Sequence, residues 1–140
     1  MGILGSVLPA PIDSYLFIGR GQAGVESPLI SENDQVLGWL AMYDVGFTSY
    51  PLPLRLLIFR PGKPLREFVG DSRGIFEWHL MDGGKQVAFY QDFAHGPSMA
   101  HFELRDIETG KLIDQWDGSN GLKTPMPKWV SLFDVNNPGS

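Results

Sequence analysis

Three histidines stand in the second half of the chain, His79, His95 and His101, and Asp92 lies close to the last two. Imidazole and carboxylate together are a donor set for zinc or manganese. The catalytic chemistry they would allow is that of a small metal-dependent hydrolase using Asp92, His95 and His101. Their spacings match no established ligand motif, and His79, between Trp78 and Leu80 on the polar register of a strand, reads as a surface or hydrogen-bonded histidine. Ser98 sits between His95 and His101, but "HGPSMAH" lacks the strand-turn-helix setting of a nucleophile elbow. Asp44 and Asp92 form a glycosidase-like pair only if their loops converge. "DGSNG", from Asp117 to Gly121, begins like a calcium loop and then carries Lys128 where the bidentate acid should stand.

"GRGQAG", Gly19 to Gly24, is a literal GxGxxG followed at a distance by Asp44, the spacing at which a dinucleotide fold places its ribose-binding acid. The fingerprint needs a helix to start inside the glycine turn. "VESPLISENDQ" puts Pro28 in that helix and has no apolar stripe, so the stretch is expected to be a glycine-rich loop between strands. No catalytic residue, metal site or cofactor is expected from these motifs.

Bulk properties narrow the partners. The 140 residues are 43% hydrophobic and 19% charged, which is enough for one globular domain with a core. A net charge of -5 argues against nucleic acid and against an anionic membrane surface, since both need concentrated Lys and Arg. The absence of Cys removes disulfides and thiolate chemistry. The opening "MGILGSVLPAPIDSYLFIG" has no basic residue before Arg20 and is broken by Pro9 and Pro11, so neither a signal peptide nor a spanning segment is expected. A soluble chain is the reading, although Met1-Gly2 with Ser6 formally fits a myristoylation pattern.

What positions the candidate residues is a set of short strands. The 17 Gly and 11 Pro cut the chain into segments, and no window holds a helical stripe, so the fold class is all-β. Self-comparison aligns Leu29, Ile30, Gln35 and Val36 with Leu80, Met81, Gln86 and Val87. It then aligns Leu56, Gly62, Lys63, Phe68 and Gly70 with Leu104, Gly110, Lys111, Trp116 and Gly118, after a slip of three residues. Two blade-like antiparallel meander repeats follow, about 27–71 and 76–118, in a single domain spanning 1–140. An N-terminal strand at 14–19 and a tail at 122–138 cover edges. In the second repeat Phe76, Trp78 and Leu80 form the buried register of a half-buried strand. The stretch "VLGWLAMY" is buried on both faces, and the last strand, from Leu112 to Trp116, is half wet. Trp39, Trp78 and Trp116 belong to the core, and Trp129 pins the C-terminal tail onto the body or onto a second subunit.

"MDGGKQVAFY" followed by "HFELRDIETGKLIDQW" resembles a blade of the TolB-type and WD-like β-propellers. Asp82-Gly83, Val87-Ala88-Phe89, Leu104, Asp106 and Thr109-Gly110-Lys111 carry the likeness; the first repeat lacks the Asp and Thr, with Ile58 and Pro61 instead. The resemblance implies a bacterial protein and a stack of antiparallel sheets. It says little of function, because propellers host many activities. Two blades leave open edges, which are met by packing face to face as a sandwich, by copies from other chains, or by further blades of a longer protein.

The functional expectation rests on two matching long loops, "AMYDVGFTSYPLP" and "YQDFAHGPSMAH". Matching insertions in repeats fall on one face. Tyr43, Asp44, Phe47, Tyr50, Asp92, Phe93 and His95 would place aromatic platforms beside hydrogen-bonding acids, a combination suited to a sugar, a cationic group or other small molecule, or a peptide. The chain thus reads as a non-enzymatic binding module that also pairs with itself through strand edges. The rival is the hydrolase of Asp92, His95 and His101.

Overall fold

Eight strands carry the apolar alternation into two sheets. The computed structural model describes residues 22–45, 49–71, 73–94, 98–118 and 124–134. The first sheet has the order β1 (Gln22–Ile30), β2 (Leu37–Tyr43), β3 (Leu52–Phe59) and β4 (Arg66–Val69), and the second β5 (Gly74–Met81), β6 (Gln86–Asp92), β7 (His101–Asp106) and β8 (Leu112–Asp117). Every pairing is antiparallel, so each sheet is a simple meander. The described residues contain no α-helix, and none of their helices is long and apolar enough to cross a membrane. The architecture is all-β, two sheets face to face.

Between the sheets lie Leu40, Leu56, Ile58 and Phe68 from the first and Ile75, Trp78, Val87, Phe89 and Ile107 from the second. Leu37, Trp39, Ala41 and Leu57 are buried on the far side of the first sheet, so β2 is covered on both faces as its apolar run predicts. The far side of the second sheet is closed by the chain's own tail. A 3₁₀ segment, Lys128–Leu132, lays Val130 and the following Phe133 over Ala88, Phe102, Leu104 and Trp116. Trp129 donates to Asp114 Oδ2 at 2.9 Å, which is the pinning expected of it. All three of Trp39, Trp78 and Trp116 are buried, and β8 is exposed from Leu112 to Gln115.

Two local expectations change. Phe76 is exposed and not on the buried register, because a bulge between Ile75 and Glu77 shifts the phase and sends Ile75 into the core in its place. Gln22 to Gly24, the described part of the GxGxxG stretch, already belongs to strand β1 and is neither loop nor helix. Pro28 is accommodated there because β1 is an edge strand with its own register break beside it and Ser27 at φ 50°. The expected strand at 14–19 lies outside the described residues.

The "DIETGK" turn explains its own composition. Asp106 Oδ2 accepts from Thr109 N and Thr109 Oγ1, both at 2.7 Å, and Gly110 takes φ 78°, where a side chain would be strained. Gly62 takes the matching φ of 73° in the first sheet.

How the sheets stack follows from two hydrogen bonds. Gly70 N donates to Leu54 O and Gly118 N to Ala100 O, each at 3.0 Å. A strand residue turns its N–H and C=O to one neighbour, and alternate residues turn to opposite neighbours. The even residues of β3 therefore bond to β4, and the even residues of β7 bond to β8. In β3 these residues, Leu56 and Ile58, face the other sheet; in β7 they are Phe102 and Leu104, which face away from it. Since β3 and β7 hold the same place in their meanders and all residues are of one hand, the sheets meet by unlike faces, front to back. This is the heterologous mode of stacking, which two members do not close.

Candidate functional site

The connections from β2 to β3, from β4 to β5 and from β6 to β7 all leave one end of the sandwich, since Pro53 O approaches Gly74 and Asp71 N donates to Gln91 Oε1 at 3.1 Å. Both long loops therefore stand at that end. Asp92, the last residue of β6, is 7% exposed and organises the second loop. Its Oδ2 accepts from Tyr90 Oη at 2.5 Å and Ser98 Oγ at 2.6 Å, and its Oδ1 from the backbone N–H of Phe93 and Met99, both at 2.8 Å. Burial alone would raise the pKa of this carboxyl, but the Ser98, Tyr90 and backbone donors outweigh it and hold the pKa below the ordinary value. The phenol of Tyr90 is pushed up by burial and by Asp92. From the far side, Arg73 Nη1 donates to Met99 O at 2.8 Å while its other nitrogens grip Asp71. The second loop is thus tied at both ends.

Around that framework the expected binding residues divide. Asp44 and Tyr50 in the first loop are exposed, as are Phe93 and Met99 in the second. Tyr43 is half-buried on the far side of the first sheet, with the Arg55 guanidinium 5.6 Å from its ring centre. Asp92 spends its carboxylate on the loop. Phe47 and His95 lie outside the described residues.

His101 belongs to a different surface. Strand alternation puts Asp92 and Tyr90 on the far side of the second sheet and His101, across from Gln91, on the side facing the first sheet. His101 Nδ1 meets Asp117 Oδ1 at 2.7 Å and Nε2 meets Glu103 Oε2 at 2.8 Å, so both ring nitrogens are occupied. The hydrogen bond to Glu103 and that to Asp117 raise its pKa against the effect of burial, and with both nitrogens taken by carboxylates the ring is not placed as a metal ligand. His79 bonds to Glu77 Oε2 at 2.6 Å and meets the Phe133 ring edge-on. Among the described residues no group of three or more His, Asp and Glu is placed to hold a metal.

The sequence reading missed a cleft of about 360 Å³ between β4 and the inner face of β6 and β7. All four residues of β4 line it, with Phe89, Gln91, Glu103 and Arg105 opposite and Thr109-Gly110 at one end. It exists because β4 has only four residues and is the edge of its sheet, so among the described residues nothing from the first sheet continues over β7 and β8. The signal was in "HFELRD": His101, Glu103 and Arg105 alternate in sign on one register. Glu103 Oε1 takes Arg105 Nε at 2.7 Å while Oε2 takes His101, a row that compensates its own charge. Arg66 crosses the gap, donating to Ile107 O at 2.8 Å and Glu108 O at 2.6 Å. Gln91 is 2% exposed, and its amide nitrogen makes no hydrogen bond among the described residues. Two further clefts lie elsewhere, one of about 460 Å³ at the opposite end beside Arg60, Lys63 and Lys85, and one of about 440 Å³, largely apolar, beside Trp129 and Leu132.

Comparison with protein-family models, with curated proteins and with solved structures finds no match to this chain.

Proposed function

We infer that the protein is a binding module whose recognition surface is the loop-bearing end of the sandwich. The observation that carries this reading is the buried Asp92. Four donors fix the second loop around one carboxylate while Phe93 and Met99 stay exposed on it, with Tyr50 and Asp44 exposed in the first loop. Aromatic and thioether groups carried on the tied ends of a loop lose little conformational entropy on binding, which favours recognition of a sugar ring or an apolar peptide side chain. The hydrolase reading gains nothing from the geometry, since Asp92 and His101 face opposite sides of their sheet.

Front-to-back stacking supports a propeller-like relation between the two sheets, and the edges at β1 and β8, unpaired among the described residues, support self-association. The test is a titration of ¹⁵N-labelled protein with a panel of mono- and disaccharides and short aromatic peptides. Shifts confined to 43–50 and 92–100, lost in a Phe93→Ala/Met99→Ala variant of unchanged thermal stability, are expected. A panel that moves no resonance in those loops would overturn the reading.

A further inference from the structure

Among the described residues nothing pairs with the outer edge of the first sheet at β4, which lies above a polar floor. Phe68 pairs with Leu56, and the Gly70 to Leu54 bond shows that Arg66 and Phe68 turn their peptide groups toward β3. Glu67 and Val69 therefore turn theirs outward, and the N–H and C=O of both make no hydrogen bond among the described residues. An edge strand with free peptide groups is a template for one more strand.

The second sheet controls what can dock there. Its strands β7 and β8 continue beneath the space next to β4, so a whole sheet approaching edge to edge meets Glu103 and Arg105, whereas a single strand slides between. We propose that the cleft between β4 and β7 is a β-augmentation site that receives one extended peptide segment, hydrogen-bonded to Glu67 and Val69 and seated on Gln91.

The floor states the chemistry of that segment. Glu103 is held between His101 and Arg105, while Arg66 is bonded to the Ile107 and Glu108 carbonyls, so among the described residues the floor offers no unpaired carboxylate to attract a cation. The donor left over on this floor is the amide nitrogen of Gln91, which reaches the cleft from an otherwise buried side chain and can take an acceptor. Side chains directed into the cleft are therefore neutral acceptors such as Asn, Gln, Ser or Thr. Those on the other register lie on the far side of the first sheet beside Val69, which is 58% exposed, and are apolar and β-branched.

The experiment uses the full chain and capped five-residue peptides alternating Val with Thr or Asn, with capped peptides alternating Lys and Glu as the control. Binding of the first set is expected to shift the amide resonances of Glu67, Val69 and the Gln91 side chain and to slow hydrogen exchange at Glu67 and Val69 by at least about tenfold, as new backbone hydrogen bonds require. Val69→Pro removes one outward donor at a site where the ladder to β3 is untouched, and it should weaken binding about tenfold or more. If that variant fails to fold, Gln91→Glu decides: it keeps the acceptor for Asp71 N and removes the donor, with the same loss expected. Undiminished binding by a folded Val69→Pro and by Gln91→Glu, equal binding of the Lys/Glu control, or no binding by any neutral peptide overturns the proposal. Shifts restricted to 43–50 and 92–100 overturn it while leaving the loop reading standing.

Discussion

Asp92→Asn isolates what holds the second loop. The carboxylate accepts four hydrogen bonds through two oxygens. An amide keeps one accepting oxygen and turns an NH₂ toward two of the four donors, so two charge-assisted bonds are lost and their donors are left facing another donor. At roughly 1.5 to 3 kcal/mol per bond to a charged group, with partial recovery as Tyr90 and Ser98 rotate, the cost is about 3 kcal/mol. For a domain of this size that is a large part of a total near 5 to 15 kcal/mol, and a fall of about 10 °C in Tm. The pH dependence gives an independent check. A carboxyl whose folded pKa lies below its unfolded value of 3.8 contributes stability that is present above that value and lost as pH falls through the folded pKa. The difference between native and Asp92→Asn should therefore be full at pH 7 and shrink below about pH 4. Urea denaturation followed by tryptophan fluorescence at pH 7 and pH 3 measures both. A difference under about 1 kcal/mol at pH 7, or one that does not shrink in acid, would refute the assignment of Asp92 as the organiser of the loop.

Other substitutions probe the packing and the charged row. A Cβ on Gly38 would stand 2.9 Å from Ile58 Cδ1 and closer still to the Trp78 indole, so Gly38→Ala should destabilise by about 1 to 3 kcal/mol in chemical denaturation, with Trp78 emission shifted. His101 has a raised pKa, so its stabilisation is fully present below its unfolded value of 6.5 and lost as pH rises through the folded pKa. An NMR titration should place its midpoint above 6.5, and His101→Gln should cost about 2 kcal/mol at pH 6 and flatten the pH profile above 6.5. Phe133→Ala removes a buried ring that meets Phe102 at 5.3 Å and His79 at 4.9 Å, and should cost about 3 kcal/mol while making residues 124–134 the first site of limited proteolysis.

The strand content, the turns and the membership of the core were legible along the chain. Gly62 and Gly110 mark turns because a positive φ is a local demand, and the continuous apolar run of β2 marks burial on both sides because each residue must face one or the other. Trp39, Trp78 and Trp116 are core for the same additive reason of area. Asp92 was singled out from the sequence, but as a group offered to a ligand. Its four donors come from Tyr90, Phe93, Ser98 and Met99, all within seven residues, yet composition does not say which way a carboxylate will turn.

Faces were not legible, because a sheet has a period of two and any odd shift exchanges its sides. The three-residue slip in the internal alignment is such a shift. Val36 and Val87 both end up between the sheets, whereas Leu56 lies between them and its match Leu104 lies on the far side. The bulge at Phe76 is a second odd shift, decided by the fit of Ile75 and Trp78 against the first sheet. The amino-acid sequence by itself determined that this chain makes two four-stranded meanders with these turns and this core, since hydrophobic alternation and glycine geometry act over a few residues. Only the tertiary structure decided that the sheets stack front to back, that His101 and Asp92 part to opposite faces, and that a short β4 leaves an open edge over a charged floor. Those outcomes depend on register and strand length relative to a neighbouring sheet, which are properties of two surfaces meeting and not of either segment alone.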